Sequence, residues 1–116
     1  MPRTAIAPVT VPGSTQYTGT VVTPAAADTT NQNSAIFTGK ELIIAENTDV
    51  AAHTVTVTSV VDSFGRTKDI AAVSLAAGEW RVFGPFDLTG WQQTDGLLYF
   101  EANHVGVEFV VLKLLK

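Results

Sequence analysis

The sequence contains no cysteine, which excludes disulfide bonds and thiolate metal sites from the fold. It also contains no apolar run of the length that crosses a membrane, so we predict no membrane partner. The N-terminal residues 1–16 carry one early arginine but no continuous apolar core, unlike a secretory signal. We therefore expect the protein to be made and released in a cytoplasm.

Positive charge is scarce. The chain has seven Lys and Arg residues against eleven Asp and Glu residues, which gives a net charge of −4. The basic residues are scattered along the chain: Arg3, Lys40, Arg66, Lys68, Arg81, Lys113 and Lys116. No cluster of them can neutralise several phosphates, so we predict no nucleic-acid partner.

Charge of either sign is low. Charged residues make up 16% of the chain, below the usual quarter, whereas hydrophobic residues make up 46%. A chain of 116 residues is long enough for one domain with a single core. Its surface must then consist largely of Thr, Ser, Asn, Gln and Ala. Burying such a surface removes few ions from water, which favours assembly with a partner; an ordinary small monomer is the alternative.

Patterns of catalytic residues are missing as well. The serines do not lie in a G-x-S-x-G motif, and the carboxylates have no spacing that indicates a hydrolase. His53 opens a predicted strand and His104 lies in a predicted turn, without the spacing of a histidine metal site. We therefore predict no enzyme, no cofactor and no metal, and interpret both histidines as surface or turn residues.

What the chain does have is regular alternation. Short runs of β-branched and aromatic residues alternate with polar residues, and turn residues separate the runs about every ten positions. The predicted strands are Lys40–Glu46, His53–Val60, Asp69–Leu75, Glu79–Phe83, Leu97–Ala102 and Val107–Leu114. This pattern predicts an all-β fold, either an antiparallel β-sandwich or a jelly-roll-like barrel.

The last predicted strand is apolar on both faces. Val107, Phe109 and Val111 fall on one face by the period of two, and Glu108, Val110 and Leu112 fall on the other. The second face is too apolar for open solvent. We therefore expect a second layer or a neighbouring subunit to cover it.

The first 35 residues differ in composition and hold four of the five prolines. Proline lacks a backbone donor, so AIAPVTVPG predicts an extended arm or an edge strand, and residues 24–35 predict a mobile connection. We divide the chain into an extended N-terminal arm, 1–35, and a β-sandwich domain, 36–116. The arm is either a partly disordered tail or a segment that orders against another subunit. In the second case, its candidate partner-binding residues are Ile6, Val9, Val11 and Tyr17.

Three further side chains have several interpretations. Arg66 lies in a predicted loop between Asp62 and Asp69, where it either pairs with these acids or reaches a neighbouring subunit. Trp80 lies in EWRVFGPF and Trp91 in a predicted loop, and each could fill the core, anchor a protein interface or stack on a sugar ring. Arg66 and Trp91 join the candidate partner-binding residues.

Several motifs within residues 36–115 resemble those of small structural proteins of tailed-bacteriophage virions. They are an NTD turn at Asn47–Asp49, an HTVTVTSV strand at His53–Val60, a D-x-x-G-R loop at Asp62–Arg66, an LAAGE turn at Leu75–Glu79, a VFGPF strand at Val82–Phe86 and a DG-x-x-YFEA hairpin at Asp95–Ala102. These are motifs of turns and core strands, so the resemblance concerns a fold family more than an activity.

The resemblance implies a β-sandwich or jelly-roll-like component of the virion. The implied role is capsid decoration: the protein would bind the major capsid protein on the outer capsid surface and stabilise the shell. It would be made in the host cytoplasm and would be a homo-oligomer, with a trimer favoured. A head–tail or tail accessory protein is the neighbouring possibility. The two tryptophans keep a different class open, a carbohydrate-binding or host-adhesion module.

Overall fold

Short strands and turns make up almost all of the structure, a computed structural model that describes residues 3–11, 21–61 and 64–114. The strands are β1 (Thr4–Ala5), β2 (Val9–Thr10), β3 (Ala25–Ala26), β4 (Asn33–Ile36), β5 (Glu41–Asn47), β6 (His53–Thr58), β7 (Ile70–Leu75), β8 (Trp80–Phe83), β9 (Leu97–Ala102) and β10 (Val107–Lys113), with one short helical segment, α1 (Leu88–Trp91), between β8 and β9. Each strand predicted after residue 40 is present to within two residues at either end.

The strands form two sheets that pack on each other. The first sheet has the order β1-β4-β9-β6-β7, and the second has the order β2-β10-β5-β8, with β3 also paired to β10. Most neighbouring strands are antiparallel, whereas β1 with β4 and β2 with β10 pair in parallel. The prediction of an all-β sandwich is confirmed, with sheets that are mixed and not purely antiparallel.

The alternation read from the sequence fixes which residues face the core. Val55 and Val57 of β6 are fully buried, whereas Thr54, Thr56 and Thr58 are only partly buried. In β10, Val107, Phe109 and Val111 share one face, as their period of two predicts, and this face is buried against the first sheet. A second layer of the same chain thus covers the face of Val107, Phe109 and Val111, whereas a cover over the face of Val110 and Leu112 stays a prediction.

The N-terminal 35 residues contribute strands to both sheets where they are described. β1 pairs with β4 and β2 pairs with β10, so residues 4–10 cross from the first sheet to the second. Residues 24–35 were predicted to be a mobile connection, and this is wrong: they contain β3 and most of β4, whose side chains Asn33 and Ala35 are buried in the core. Alternation over four residues is too short to identify such a strand. The boundary between arm and domain stays a prediction.

Several polar side chains lie inside the sandwich and are fully hydrogen-bonded. Asn33, Ser34, Glu41, Asn47 and Ser59 are each less than a tenth exposed. Within the described part of the chain, every buried side-chain nitrogen or oxygen has a hydrogen-bond partner. Because an unpaired buried polar atom is expensive, these hydrogen bonds oppose rearrangement around the five side chains.

Asp28 organises the turn between β3 and β4. Its Oδ1 accepts hydrogen bonds from the backbone N–H groups of Thr30 and Asn31, at 3.0 Å each, and its Oδ2 accepts the hydroxyl of Thr4 in β1. These bonds favour the ionised form. The N–H of Asn31 first, and the Thr4 hydroxyl second, lower the pKa of Asp28 from 3.8 to about 2.

This lowered pKa predicts an acid-sensitive contribution to stability. Since the folded-state pKa lies below the unfolded value, the stabilisation is complete above about pH 4 and is lost as the pH falls towards 2. Asp28→Asn removes the titrating group, so we expect the difference in urea midpoint between wild type and Asp28→Asn to shrink over this interval. A difference that stays constant from pH 5 to pH 2 would contradict the assignment.

Candidate functional site

The second sheet ends at an open strand that carries large apolar side chains. Within the described residues β8 pairs only with β5, so its other edge is free for hydrogen bonding. Trp80 and Val82 on this strand are 56% and 60% exposed. We call this pair of residues the β8 edge. Exposed apolar groups beside free backbone groups are suited to binding a protein strand or surface.

The β8 edge continues into the outward-facing side of the same sheet. Directly paired residues share a face, and Val82 lies opposite Ile44, which lies opposite Val110. The next row is Leu42, Leu112 and Val9. These seven residues, Trp80, Val82, Ile44, Val110, Leu42, Leu112 and Val9, form the outer apolar face. Val110 is nearly buried, whereas the other six are partly or largely exposed.

The outward side of the first sheet has a different chemistry. Thr54, Thr56 and Thr58 of β6 alternate with the buried valines and are half-buried. On the neighbouring strand β9, Glu101 lies opposite Thr56 and Tyr99 lies opposite Thr58. This side is polar and rich in hydroxyl groups, so the two outer surfaces of the sandwich are unlike, and apolar docking is favoured on only one of them.

Three of the predicted partner-binding residues belong to the N-terminal strands. Ile6 is 9% exposed and packs in the core, so it offers little surface to a partner. Val9 and Val11 are half-buried beside β10, where Val9 lies opposite Leu112 and the N–H of Val11 donates to the carbonyl of Lys113 at 2.9 Å. The structure therefore brings Val9 and Val11 together at the edge opposite β8, and Val9 joins the outer apolar face.

The other predicted partner-binding residues lie apart from this face. Tyr17 lies outside the described residues. Arg66 is exposed in the connection between β6 and β7, with its guanidinium 5.0 Å from the centre of the Phe64 ring. Trp91 is half-buried, with its ring 4.7 Å from that of Phe86 at the margin of the core. The role of all six residues in partner binding stays a prediction.

Trp80 is the tryptophan whose interpretation changes most. The core interpretation is wrong for this residue, because more than half of its side chain is exposed. Alternation placed Trp80 and Val82 on one face of a strand but did not indicate that the strand lies at the edge of its sheet. A strand's position in the sheet depends on long-range pairing, for which the sequence of β8 carries no signal.

A second group of residues lies where the connection between β5 and β6 approaches the connection between β9 and β10. Asp49, His53 and His104 form what we call the His–Asp cluster. The imidazole rings of His53 and His104 are stacked, with centroids 4.0 Å apart and planes inclined by 2°. Nε2 of His53 donates to Oδ2 of Asp49 at 2.6 Å, and Nε2 of His104 lies 3.9 Å from the same oxygen.

The electrostatics of this group centre on the carboxylate. The hydrogen bond from His53 is the main cause that lowers the pKa of Asp49 below its ordinary 3.8, followed by the backbone N–H of Val50. The sequence gives no pattern that connects the two histidines, so the cluster is not predictable from it. The spacing of Asp49 and His53 by four residues around a turn was a weak signal, but the approach of His104, about fifty residues later, could not be read from it.

Comparison with known proteins gives no relative for this chain. No protein-family model, curated protein or solved structure matches it. Among the described residues there is also no helix that is long and apolar enough to cross a membrane. The features of the chain that bear on function are therefore its own outer apolar face and His–Asp cluster.

Proposed function

We propose that this chain is a structural protein of a bacteriophage virion that decorates the outer capsid surface and stabilises the shell. Its partner would be the major capsid protein, and the decorating unit would be a homo-oligomer, with a trimer favoured. The protein would be made in the host cytoplasm and act on the virion. A head–tail or tail accessory protein is the nearest alternative within the same class.

The β8 edge is the observation that carries the proposal. Two large apolar side chains, Trp80 and Val82, stand more than half exposed on a strand with a free edge. Isolated exposed apolar residues are common on monomers, but here they continue into Ile44 and Leu42 across the sheet. Tryptophan is among the residues that most often dominate the binding energy of protein interfaces. The β8 edge and the outer apolar face are therefore our proposed docking surface.

The low charge of the chain supports the same role. On the outward face, the row of Trp80 contains Glu46 and Glu108, whereas the two rows of Val82 and Leu42 contain no charged residue, so burying these two rows removes no ion from water. An interface of ordinary size buries about 1,600 Å² in total. Repeated over many copies that bridge neighbouring capsid subunits, such contacts stabilise the assembled lattice by mass action and oppose the pressure of packaged DNA. Stabilisation of this kind requires no catalytic group.

Capsid binding provides the direct test of the docking surface. We expect Trp80→Ala to lower the affinity for capsids that lack this protein by at least about thirtyfold, as for a dominant interface residue. Co-sedimentation at a series of protein concentrations would measure this affinity. Val50→Ala is the control, because Val50 is an apolar residue that is 93% exposed in the loop between β5 and β6. It should bind as the wild type does. Surface substitutions are preferable to deletion of residues 1–35, which would remove most of β4 and Ile6 from the core.

Two results would separate the parts of the proposal. If Trp80→Ala binds capsids as tightly as the wild type, the β8 edge is not the docking surface. If the wild type neither binds capsids nor raises their melting temperature, the decoration role itself is wrong.

A carbohydrate-binding or host-adhesion module is the second candidate, because an exposed tryptophan can also stack on a sugar ring. Trp80, and not the half-buried Trp91, is the exposed tryptophan of the two. Glu46, directly opposite Trp80, could bind a sugar hydroxyl, but the surface continues through Val82 to Ile44 as an apolar one, which favours a protein partner. Glycan binding by the wild type that is lost in Trp80→Ala would reverse this preference.

A further inference from the structure

We propose that the His–Asp cluster, Asp49, His53 and His104, binds a divalent transition-metal ion such as Zn²⁺. Two imidazole nitrogens and one carboxylate oxygen are a ligand set that suits zinc and its neighbours in the first transition series. One ligand atom from each residue lies within 4.8 Å of the other two. The proposal is independent of capsid binding.

The two loops that carry the ligands are fixed to each other. The N–H of Thr48 and its hydroxyl both donate to the carbonyl of Gly106, at 2.9 and 2.6 Å. In the loop between β5 and β6, the side-chain oxygen of Asn47 accepts a hydrogen bond from the N–H of Asp49, and its Nδ2 donates to the carbonyl of Ala51. These two bonds shape the turn before His53. These hydrogen bonds hold the backbone of the two loops, whereas the imidazole rings must reorient when an ion binds.

The spacing of the ligand atoms brackets that of a metal site. With metal–ligand bonds of about 2.1 Å and tetrahedral angles, ligand atoms lie roughly 3.4 Å apart. In the cluster, the Asp49 oxygen lies 2.6 Å from Nε2 of His53 and 3.9 Å from Nε2 of His104. An ion would take the place of the His53–Asp49 hydrogen bond. Both distances would then change by less than about 1 Å.

Exposure leaves one side of the site open. The side chains of His53, Asp49 and His104 are 14%, 32% and 42% exposed, so the site runs from the margin of the sandwich to solvent. Three protein ligands with an open side leave room for a water or a fourth ligand, as in zinc sites that are not purely structural. Calcium and magnesium prefer ligand sets made of oxygen, so neither should compete.

Binding would also change the hydrogen bonding of His104. The N–H of Gly106 donates to Nδ1 of this ring at 2.9 Å, which places the proton of the neutral ring on Nε2. Coordination through Nε2 moves that proton to Nδ1, so the bond from Gly106 is lost. The stacked rings must also tilt, because two parallel rings cannot direct both lone pairs at one ion. The Gly106 amide thus becomes a specific reporter of binding.

The test is a zinc titration of the full chain without a histidine tag. By calorimetry we expect one Zn²⁺ per chain with a dissociation constant of about 10 μM or tighter. At a hundredfold excess over that constant, the melting temperature should rise by at least about 5 °C. Magnesium should have no effect. His104→Ala and Asp49→Asn should each weaken binding at least about tenfold, whereas Asp87→Asn, a matched change at an exposed aspartate, should leave it unchanged.

The opposite results would overturn the site. Absence of saturable binding below about 1 mM zinc would do so, as would unchanged binding in both His104→Ala and Asp49→Asn. If these variants do not fold, the wild-type chain still decides the question by NMR. A shift of the Gly106 amide and the two imidazole rings at one equivalent of zinc supports the site, and no shift overturns it.

Discussion

Asn47→Asp should destabilise the fold by about 3 kcal/mol, although it changes a single nitrogen to oxygen. Asn47 is fully buried, and its Nδ2 donates to the carbonyls of Ala51 and Leu75, at 2.8 and 3.0 Å. An ionised aspartate donates no hydrogen bond. The variant would therefore place a buried negative charge against two carbonyl oxygens that have lost their donor.

Thermal and urea unfolding would measure this effect. At roughly 4 °C per kcal/mol for a chain of this size, the melting temperature should fall by at least about 10 °C. Asn103→Asp is a matched control, because the side-chain oxygen of Asn103 only accepts a bond, from the N–H of Thr54 at 2.9 Å. A carboxylate can accept the same bond, so this change should stay within about 0.5 kcal/mol. Equal losses in the two variants would contradict the role assigned to Asn47.

Phe100→Ala should lower the free energy of unfolding by about 3–5 kcal/mol. Phe100 in β9 and Phe109 in β10 are both fully buried, and they belong to different sheets. Their rings meet edge to face, with centroids 4.8 Å apart and planes inclined by 75°. Truncation removes the apolar contact of one sheet with the other, leaves a cavity and removes the favourable aromatic pairing.

Urea unfolding of Phe100→Ala and Phe64→Ala would separate burial from residue type. The same substitution at Phe64, which is 79% exposed, should change stability by no more than about 0.5 kcal/mol. A loss below about 1.5 kcal/mol at Phe100 would be inconsistent with a close-packed contact between the sheets at this point.

The strands were the most predictable part of the fold. The alternation in His53–Thr58 and Val107–Lys113 identified the strands and the residues that share each face, because a period of two is a local property of the chain. Turn residues between the strands set their limits for the same reason. The parallel pairings of β1 with β4 and of β2 with β10 were not predictable. β1 and β2 have two residues each, and the partner of each lies more than twenty residues away.

The candidate sites were less predictable than the fold, since both depend on residues that are distant in sequence. Trp80 is exposed because β8 lies at the end of its sheet, and no feature of EWRVF indicates that position. His53 and His104 stack because two turns meet at one end of the sandwich. The apolar second face of β10 was visible in the sequence, but its continuation to Val82 required the register of three strands.

The parallel pairing of β2 with β10 has a mechanical consequence. β2 lies close to the beginning of the chain and β10 close to its end, and the two strands run in the same direction. A force that separates the two ends therefore pulls the strands along their axes in opposite directions. The hydrogen bonds between them, including that from Val11 to Lys113, would be loaded together in shear and not opened one after another. A chain tethered at its ends would therefore resist tension at this junction, where the first and last parts of the sequence meet.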